Sequence, residues 1–274
     1  MFPVNLLSPK TVFSVIGDDP RQKFLAKALA EQGLSVSLLS AEQPKNISAL
    51  SLAHVVIFPL PLSSLPKEKL RDFLSFCKKD AVLFAGKVSP QSQALAESFG
   101  FHLLDYAAGE SMAALNAVPT AEGAVQIALN QTDFTLWESH CMVLGFGHCG
   151  KTLALLLKGF GAHVTIAARN PGSLSFARTL GFETIPLCQM ESVLPQQDIL
   201  FNTIPAPVLR RQELSLLSPS CLVIDLASLP GGTDFSAAEN FHLKAIHALA
   251  LPGKTAPATA GKILRDTILQ MLSE

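Results

Sequence analysis

The chain has 274 residues, 49% of them apolar and 16% charged, with a net charge of −1 at neutral pH. This is the balance of a folded globular chain with room for one large or two ordinary domains, and it gives no electrostatic footing for nucleic acid or an anionic membrane surface. The longest apolar runs, such as residues 53–62, contain prolines and fall well short of the ~20 residues of a bilayer span, and Met1-Phe2-Pro3-Val4-Asn5 has neither the basic nor the apolar region of a signal peptide.

Short apolar runs alternate with stretches of helical length, the rhythm of βαβ units, and the pattern occurs twice. In the first half, strands are expected over residues 11–16, 35–39, 55–59, 81–85 and 101–104. Helices are expected over residues 20–32, 67–78 and 90–98. Pro20 in the first turn and Gly33 past the end suit the first helix. A bridging helix follows over residues 119–130, opened by Pro119 with Glu122 in its first turn. The second half restarts with a strand at 141–145, a helix at 149–160, a strand at 163–168 and a helix at 173–180 closed by Gly181. Further strands fall at 199–202, 222–226 and 244–247, and a terminal helix at 259–272. The expected class is α/β: two Rossmann-like doubly wound domains with parallel sheets, joined by a bridging helix, with the C-terminal helix packing back toward the first domain. The boundaries read 1–118, 119–134 for the bridge, 135–258, and 259–274.

The second domain opens with Gly145-Phe146-Gly147-His148-Cys149-Gly150. In a dinucleotide fold the first glycine permits the tight turn, the second lets the backbone approach a pyrophosphate, and the third lets helix and strand pack closely. A GxGxxG string is weak alone, but here a strand precedes it, a helix follows, and a second strand ends about 20 residues on. That strand ends in Arg169-Asn170, where an NAD site carries a carboxylate for the ribose hydroxyl. Arg169 instead offers a forked cation to a 2′-phosphate, which points to NADP; the alternative is an arginine in solvent.

Other strand ends supply further candidates, because open α/β sheets bind ligands beyond the carboxyl ends of their strands. Asn202-Thr203-Ile204-Pro205 would meet the nicotinamide ribose or simply cap the loop. Asp225 and Ser228 lead into Pro230-Gly231-Gly232, whose paired glycines allow either close approach to a ligand or a tight turn. The five cysteines (Cys77, Cys141, Cys149, Cys188, Cys221) are scattered, without a CxxC pair. They read as reduced cytosolic thiols, not as a metal site or a disulfide frame.

Beyond the glycine string, several motifs run in a fixed order. They include Gly17-Asp18-Asp19-Pro20-Arg21-Gln22, Phe84-Ala85-Gly86, Asn116-Ala117-Val118-Pro119-Thr120-Ala121-Glu122-Gly123, Pro230-Gly231-Gly232-Thr233-Asp234-Phe235 and the stretch from Leu251-Pro252-Gly253-Lys254 to Gly261. With these the chain resembles the dipicolinate synthase A-chain family of endospore-forming bacteria over nearly its whole length. The resemblance implies NADP-linked oxidation of a dihydrodipicolinate-type compound to pyridine-2,6-dicarboxylate during sporulation. It also implies a partner, a flavoprotein-like B subunit, and the mother-cell cytoplasm as location. The chain departs from the family at Gly109-Glu110-Ser111, where an Arg-Asp-Asp-like stretch is usual, and at His148, where arginine is frequent.

A dicarboxylate substrate wants a bidentate arginine. Arg21, at a helix N-terminus, is the first choice, unless it pairs with Asp18 or Asp19. Gly86, Asn116, Thr120 and Lys254 could supply further contacts. Glu122, Asp105, Glu110 and His247 are the candidate proton acceptors. The residues leave open another two-domain NADP dehydrogenase (2-hydroxyacid or methylenetetrahydrofolate type), a non-catalytic NADP-binding subunit, and self-assembly into a homo-oligomer.

Overall fold

The computed structural model describes residues 8, 10–43 and 46–274; the segment 1–5, read above for a targeting signal, lies outside them. The chain divides into two compact units. One comprises the described residues of Met1–Asn116 together with Ala256–Glu274, and the other comprises Ala117–Thr255.

The first unit contains β1 (Val12–Ile16), α1 (Pro20–Ala30), β2 (Ser35–Leu39), β3 (Val55–Ile57), α2 (Lys67–Phe76), β4 (Val82–Ala85), α3 (Pro90–Ser98) and β5 (Leu103–Asp105). Its sheet runs β2-β1-β3-β4-β5, every neighbour parallel. Both faces are covered, which is why these strands read as unbroken apolar runs. Phe13, Val15, Val55, Ile57 and Phe84 pack with Leu25 and Leu29 of α1, and with Leu264 and Ile268 of the terminal helix. Val56, Phe58 and Leu83 pack with Phe73, Leu74 and Leu95 of α2 and α3. Asp19 caps α1 by accepting the backbone N–H of Arg21.

The connecting helix α4 (Glu110–Gln131) begins nine residues earlier than expected, with Pro119 in its interior. Met112, Ala113, Ala114 and Leu115 are strong helix formers and carry the helix through the proline, which forgoes one backbone hydrogen bond.

The second unit contains β6 (His140–Leu144), α5 (His148–Gly159), β7 (His163–Ala168), α6 (Pro171–Thr179), β8 (Glu183–Pro186), β9 (Ile199–Asn202), α7 (Arg211–Leu214), β10 (Leu222–Asp225), α8 (Phe235–Asn240), β11 (Lys244–His247) and α9 (Leu251–Thr255). Its parallel sheet runs β11-β10-β9-β6-β7-β8. Counted from β6, that is the 3-2-1-4-5-6 order of a dinucleotide-binding sheet. The edge strand β8 was not foreseen; Glu and Pro give it little strand character, and only an edge tolerates the proline.

α10 (Pro257–Ser273) returns to the first unit. It approaches α1 closely at Gly261, where a Cβ would stand 2.6 Å from Phe24 Cβ and 2.8 Å from Leu25 N. Among the described residues no helix is long and apolar enough to cross a membrane, and no group of His, Cys, Asp and Glu could hold a metal ion.

Candidate functional site

The sheet of the second unit reverses its strand order between β6 and β9, so the carboxyl ends of these strands open a crevice. β6 runs into Gly145, whose φ of +93° is a conformation L side chains avoid. A Cβ there would also stand 2.5 Å from Thr203 Oγ1. At Gly150 a Cβ would collide with the carbonyl oxygen of Gly145, so the third glycine lets α5 pack against the turn it leaves. At Gly147 a Cβ would meet nothing within 4 Å. Gly147 is exposed, and no side chain caps α5 behind it. The three glycines thus have three physical roles: turn, open approach, close packing. An uncapped helix N-terminus beside an open backbone suits a pyrophosphate.

The other residues of this loop divide by burial. Phe146 is 5% exposed and stacks edge-on against Phe176 and Phe182, so its ring serves the core. Lys151 lies over the Phe146 and Phe176 rings at 5.8 and 5.4 Å, a contact not foreseen from the sequence. Burial pushes the Cys149 thiol up to about 11. His148 is exposed as the first residue of α5. At the end of β7, Arg169 is exposed, and Asn170 caps α6 by accepting the Ser173 N–H at 3.2 Å.

Asn202 and Asp225 do not face a ligand as expected. Paired in register at the ends of β9 and β10, both are fully buried. Asn202 Nδ2 donates to Asp225 Oδ1 at 2.9 Å and to the Ile204 carbonyl at 3.1 Å, and its Oδ1 accepts from Ile204 N. Asp225 also accepts from Ala227 N and Gly232 N. Their hydrogen-bonding capacity goes into tying the two loops together. Gly232 is small for the same reason: a Cβ would meet Asn202 Nδ2 and two carbonyls at 2.7 Å, so the Gly-Gly pair approaches its own chain. Thr203 donates its hydroxyl to the Leu144 carbonyl at 2.8 Å and stitches β9 to β6. Ile204, Pro205 and Ser228 stand at the half-buried or exposed rim.

Arg21 is not open to a substrate either. It is 5% exposed. Its Nε and Nη2 donate to the two carboxylate oxygens of Asp19 at 2.9 and 2.8 Å, and Nη2 also donates to the Leu60 carbonyl at 2.7 Å. Burial raises the Asp19 carboxyl, but the hydrogen bonds and charge of Arg21 outweigh it and hold the group below its ordinary value. The expected clamp is a structural pair pinning the loop after β3. Tyr106, which the sequence did not flag, and Gln22 of the Gly17–Gln22 motif pin the same loop at the Phe58 carbonyl (3.0 and 3.4 Å). Gly86 belongs to this packing too. A Cβ there would stand 2.5 Å from Leu60 Cδ1, and both its backbone groups are bonded, to Pro59 and Leu62.

On α4, Asn116 and Thr120 share one stripe, four residues apart. Gly123 continues it against α9, where a Cβ would stand 2.6 Å from Thr255 Oγ1. Lys254 of α9 is exposed. Glu122 instead lines a groove with Leu129, Leu156 and Phe160, away from that stripe. Asp105 accepts three backbone N–H groups, from Lys87, Val88 and Ala107, and so holds a turn. His247 Nε2 lies 3.0 Å from the Ala227 carbonyl and the ring stacks on Phe235, which makes it a loop support. Glu110 opens α4.

Fold and site together define a class: an α/β protein with a nicotinamide-dinucleotide-binding domain of the dehydrogenase type. Residues 110–227 match the NAD-binding domain of D-isomer specific 2-hydroxyacid dehydrogenases. The chain is 31% identical to the dipicolinate synthase A chain of Bacillus subtilis (strain 168) over 283 residues, 95% of each chain. It therefore belongs to the dipicolinate synthase A-chain family. The dipicolinate synthase A chain of Bacillus halodurans superposes with a TM-score of 0.86 at 28% identity, over 98% of this chain and all of that one. The solved B. subtilis A chain superposes with a TM-score of 0.83 at 29% identity over 96% of both chains. The transhydrogenase of Sinorhizobium meliloti shares the fold, with a TM-score of 0.74 at 15% identity over 95% of this chain and 92% of that one.

Proposed function

We propose that this chain is the A chain of a dipicolinate synthase, catalysing NADP-linked oxidation of a dihydrodipicolinate-type compound to pyridine-2,6-dicarboxylate during sporulation. The observation that carries the reading is the open Gly147 cradle at an uncapped α5, in a chain 31% identical to a dipicolinate synthase A chain across its length. The relative's designation as one subunit of its enzyme supports a second, different chain as partner. The same reading has the chain also assemble with itself and work in the mother-cell cytoplasm.

The chain's own residues divide the work. The backbone from Gly145 to Gly150, led by Gly147 and the α5 N-terminus, receives the pyrophosphate. Arg169 holds the 2′-phosphate through charge-assisted hydrogen bonds, with Asn170 and α6 beside it. The nicotinamide, when bound, supplies the hydride acceptor. Ring aromatisation favours the oxidation, so the protein's main contribution is position. Asn116 and Thr120 on their α4 stripe, with Lys254 as the cation of α9, contact the dicarboxylate. With Arg21 committed to Asp19 and Leu60, Lys254 takes over the charge-neutralising part first expected of Arg21.

Two experiments test this. Protein, NADP and enzymatically prepared dihydrodipicolinate are mixed with and without the partner chain, and pyridine-dicarboxylate absorbance is followed. Product is expected with the pair; none from the pair refutes the reaction. For the cofactor, Arg169→Asp is expected to lower the NADP-to-NAD affinity ratio roughly tenfold to a hundredfold, the worth of a hydrogen-bonded charge contact. An unchanged ratio refutes the NADP assignment and leaves the reaction class standing.

A further inference from the structure

Charge is spread unevenly along the second unit. From Gly145 to Phe182 the chain carries four cations, Lys151, Lys158, Arg169 and Arg178, and no Asp or Glu, although 22 acids stand elsewhere. Two of the four serve the last turns of their helices. Lys158 Nζ donates to the Leu180 carbonyl at 2.6 Å and lies over the Phe182 ring, and Arg178 Nη2 donates to Thr184 Oγ1 at 3.1 Å. The other two stand at the crevice end of the same segment. Lys151 is the fourth residue of α5, and Arg169 lies where β7 runs into α6. Among the described residues neither of these two side chains makes a hydrogen bond or an ion pair.

What Lys151 does have is a seat of two rings. Its ammonium lies 5.8 Å from the Phe146 centroid and 5.4 Å from that of Phe176. Phe146 belongs to the glycine turn. Gly145 donates its backbone N–H to the Ala167 carbonyl at 2.8 Å, so that turn lies against the end of β7, two residues before Arg169. Phe176 stands on α6, six residues past Asn170, or roughly 9 Å along the axis. The seat therefore spans the two elements that flank Arg169. Phe176 is 50% exposed. A cation over a half-exposed ring is held less firmly than one hydrogen-bonded to a phosphate, so an anion arriving there draws the ammonium off the rings.

A phosphate monoester carries about −1.5 to −2 charges at neutral pH and three acceptor oxygens. A guanidinium fork takes two of those oxygens. The third oxygen and the second charge call for another cation, and lysine supplies a point charge with rotatable donors on a long stem. We propose that Lys151 is the second cation of the 2′-phosphate site. It rests on Phe146 and Phe176 in the free chain and moves onto the oxygen that Arg169 leaves open. The acid-free stretch suits this, since no carboxylate between Gly145 and Phe182 competes for either cation. The inference rests on the NADP reading given above and assigns its selectivity to two cations in place of one.

The test is calorimetric binding of NADP and of NAD to the full chain without substrate, so turnover plays no part. Lys151→Met keeps a flexible apolar stem against the two rings, so the thermal midpoint should hold. Its NADP-to-NAD affinity ratio should fall about tenfold, the lower end of the worth of a charged hydrogen bond, with NAD affinity unchanged. Lys151→Arg, which keeps a cation over the rings, should retain most of the preference. Adding Arg169→Met to Lys151→Met should leave the two cofactors bound alike. A Lys151→Met chain with the wild-type ratio overturns the proposal and leaves the NADP reading standing. Equal weakening of both cofactors overturns it too, because Lys151 would then serve the pyrophosphate. A wild-type chain that does not prefer NADP refutes the NADP reading itself, and the cation pair falls with it.

Discussion

The two units reverse strand order at one point each, between β1 and β3 in the first and between β6 and β9 in the second. By topology alone, either crevice is a place for a ligand. The chain treats them oppositely. At the β1–β3 reversal its own side chains fill the space: a Cβ on Gly17 would stand 2.9 Å from Gln22 Cγ, and Arg21, Gln22 and Tyr106 all bond the β3 loop carbonyls. At the β6–β9 reversal the glycine that faces outward meets nothing within 4 Å. Topology sets where a site can be. The size of a few side chains, and whether their hydrogen bonds are already used, decides whether there is one.

The sharpest way to break that comparison is at the glycines. Gly145→Ala must force a left-handed alanine, at ~1–2 kcal/mol, and overpack Thr203, at ~1–3 kcal/mol, so a loss of about 4 kcal/mol in denaturant-measured stability is expected. Gly147→Ala should leave stability unchanged and weaken dinucleotide binding at least about tenfold, since its methyl enters open space that only a ligand fills. Equal destabilisation by both would mean the crevice is packed like that of the first unit.

Next in size is Arg21→Met. Removing one member of a buried pair costs ~3–5 kcal/mol. The Asp19 side chain stays 32% exposed, so a loss of about 3 kcal/mol is expected, with dinucleotide affinity intact. The pH dependence follows from the pair. The Asp19 carboxyl is held below its ordinary 3.8 in the folded chain. Its contribution is therefore present above the unfolded value and is lost as pH falls through the folded one. Acid denaturation of Arg21→Met should lack that share of the slope below about pH 4. An Arg21→Met chain of normal stability that no longer responds to dicarboxylates would restore the arginine to a ligand role.

Much of this architecture was legible because burial on both sheet faces writes itself as apolar runs, and because glycine is the one residue whose spacing encodes a turn. What stayed hidden depended on neighbours distant in sequence. Asn202 and Asp225 read as ligand contacts because each ends a strand; only the register of β9 and β10 makes them partners. Arg21 read as a clamp at a helix N-terminus. Its burial is set by the Leu60 loop, 39 residues on. Pro119 read as a helix start, and the alanine- and leucine-rich turn before it overrode that signal.

The smallest effect expected is kinetic, and it separates an open backbone from an open side chain. Burial raises the thiols of Cys77 and Cys221 to about 12 and those of Cys141 and Cys149 to about 11, while Cys188 is exposed. Cys149 is the informative one. It lies in the first turn of α5, where a helix N-terminus ordinarily lowers a thiol's pKa, but desolvation wins there. At mildly alkaline pH a disulfide reagent should therefore modify one thiol of five quickly, and Cys188→Ser should remove that phase. A second fast thiol, suppressed by added dinucleotide, would mean that the cradle exposes the Cys149 side chain as well as the Gly147 backbone. Its absence would leave the α5 N-terminus as an anion site built from main chain alone, with the half-buried cysteine turned away from the reagent.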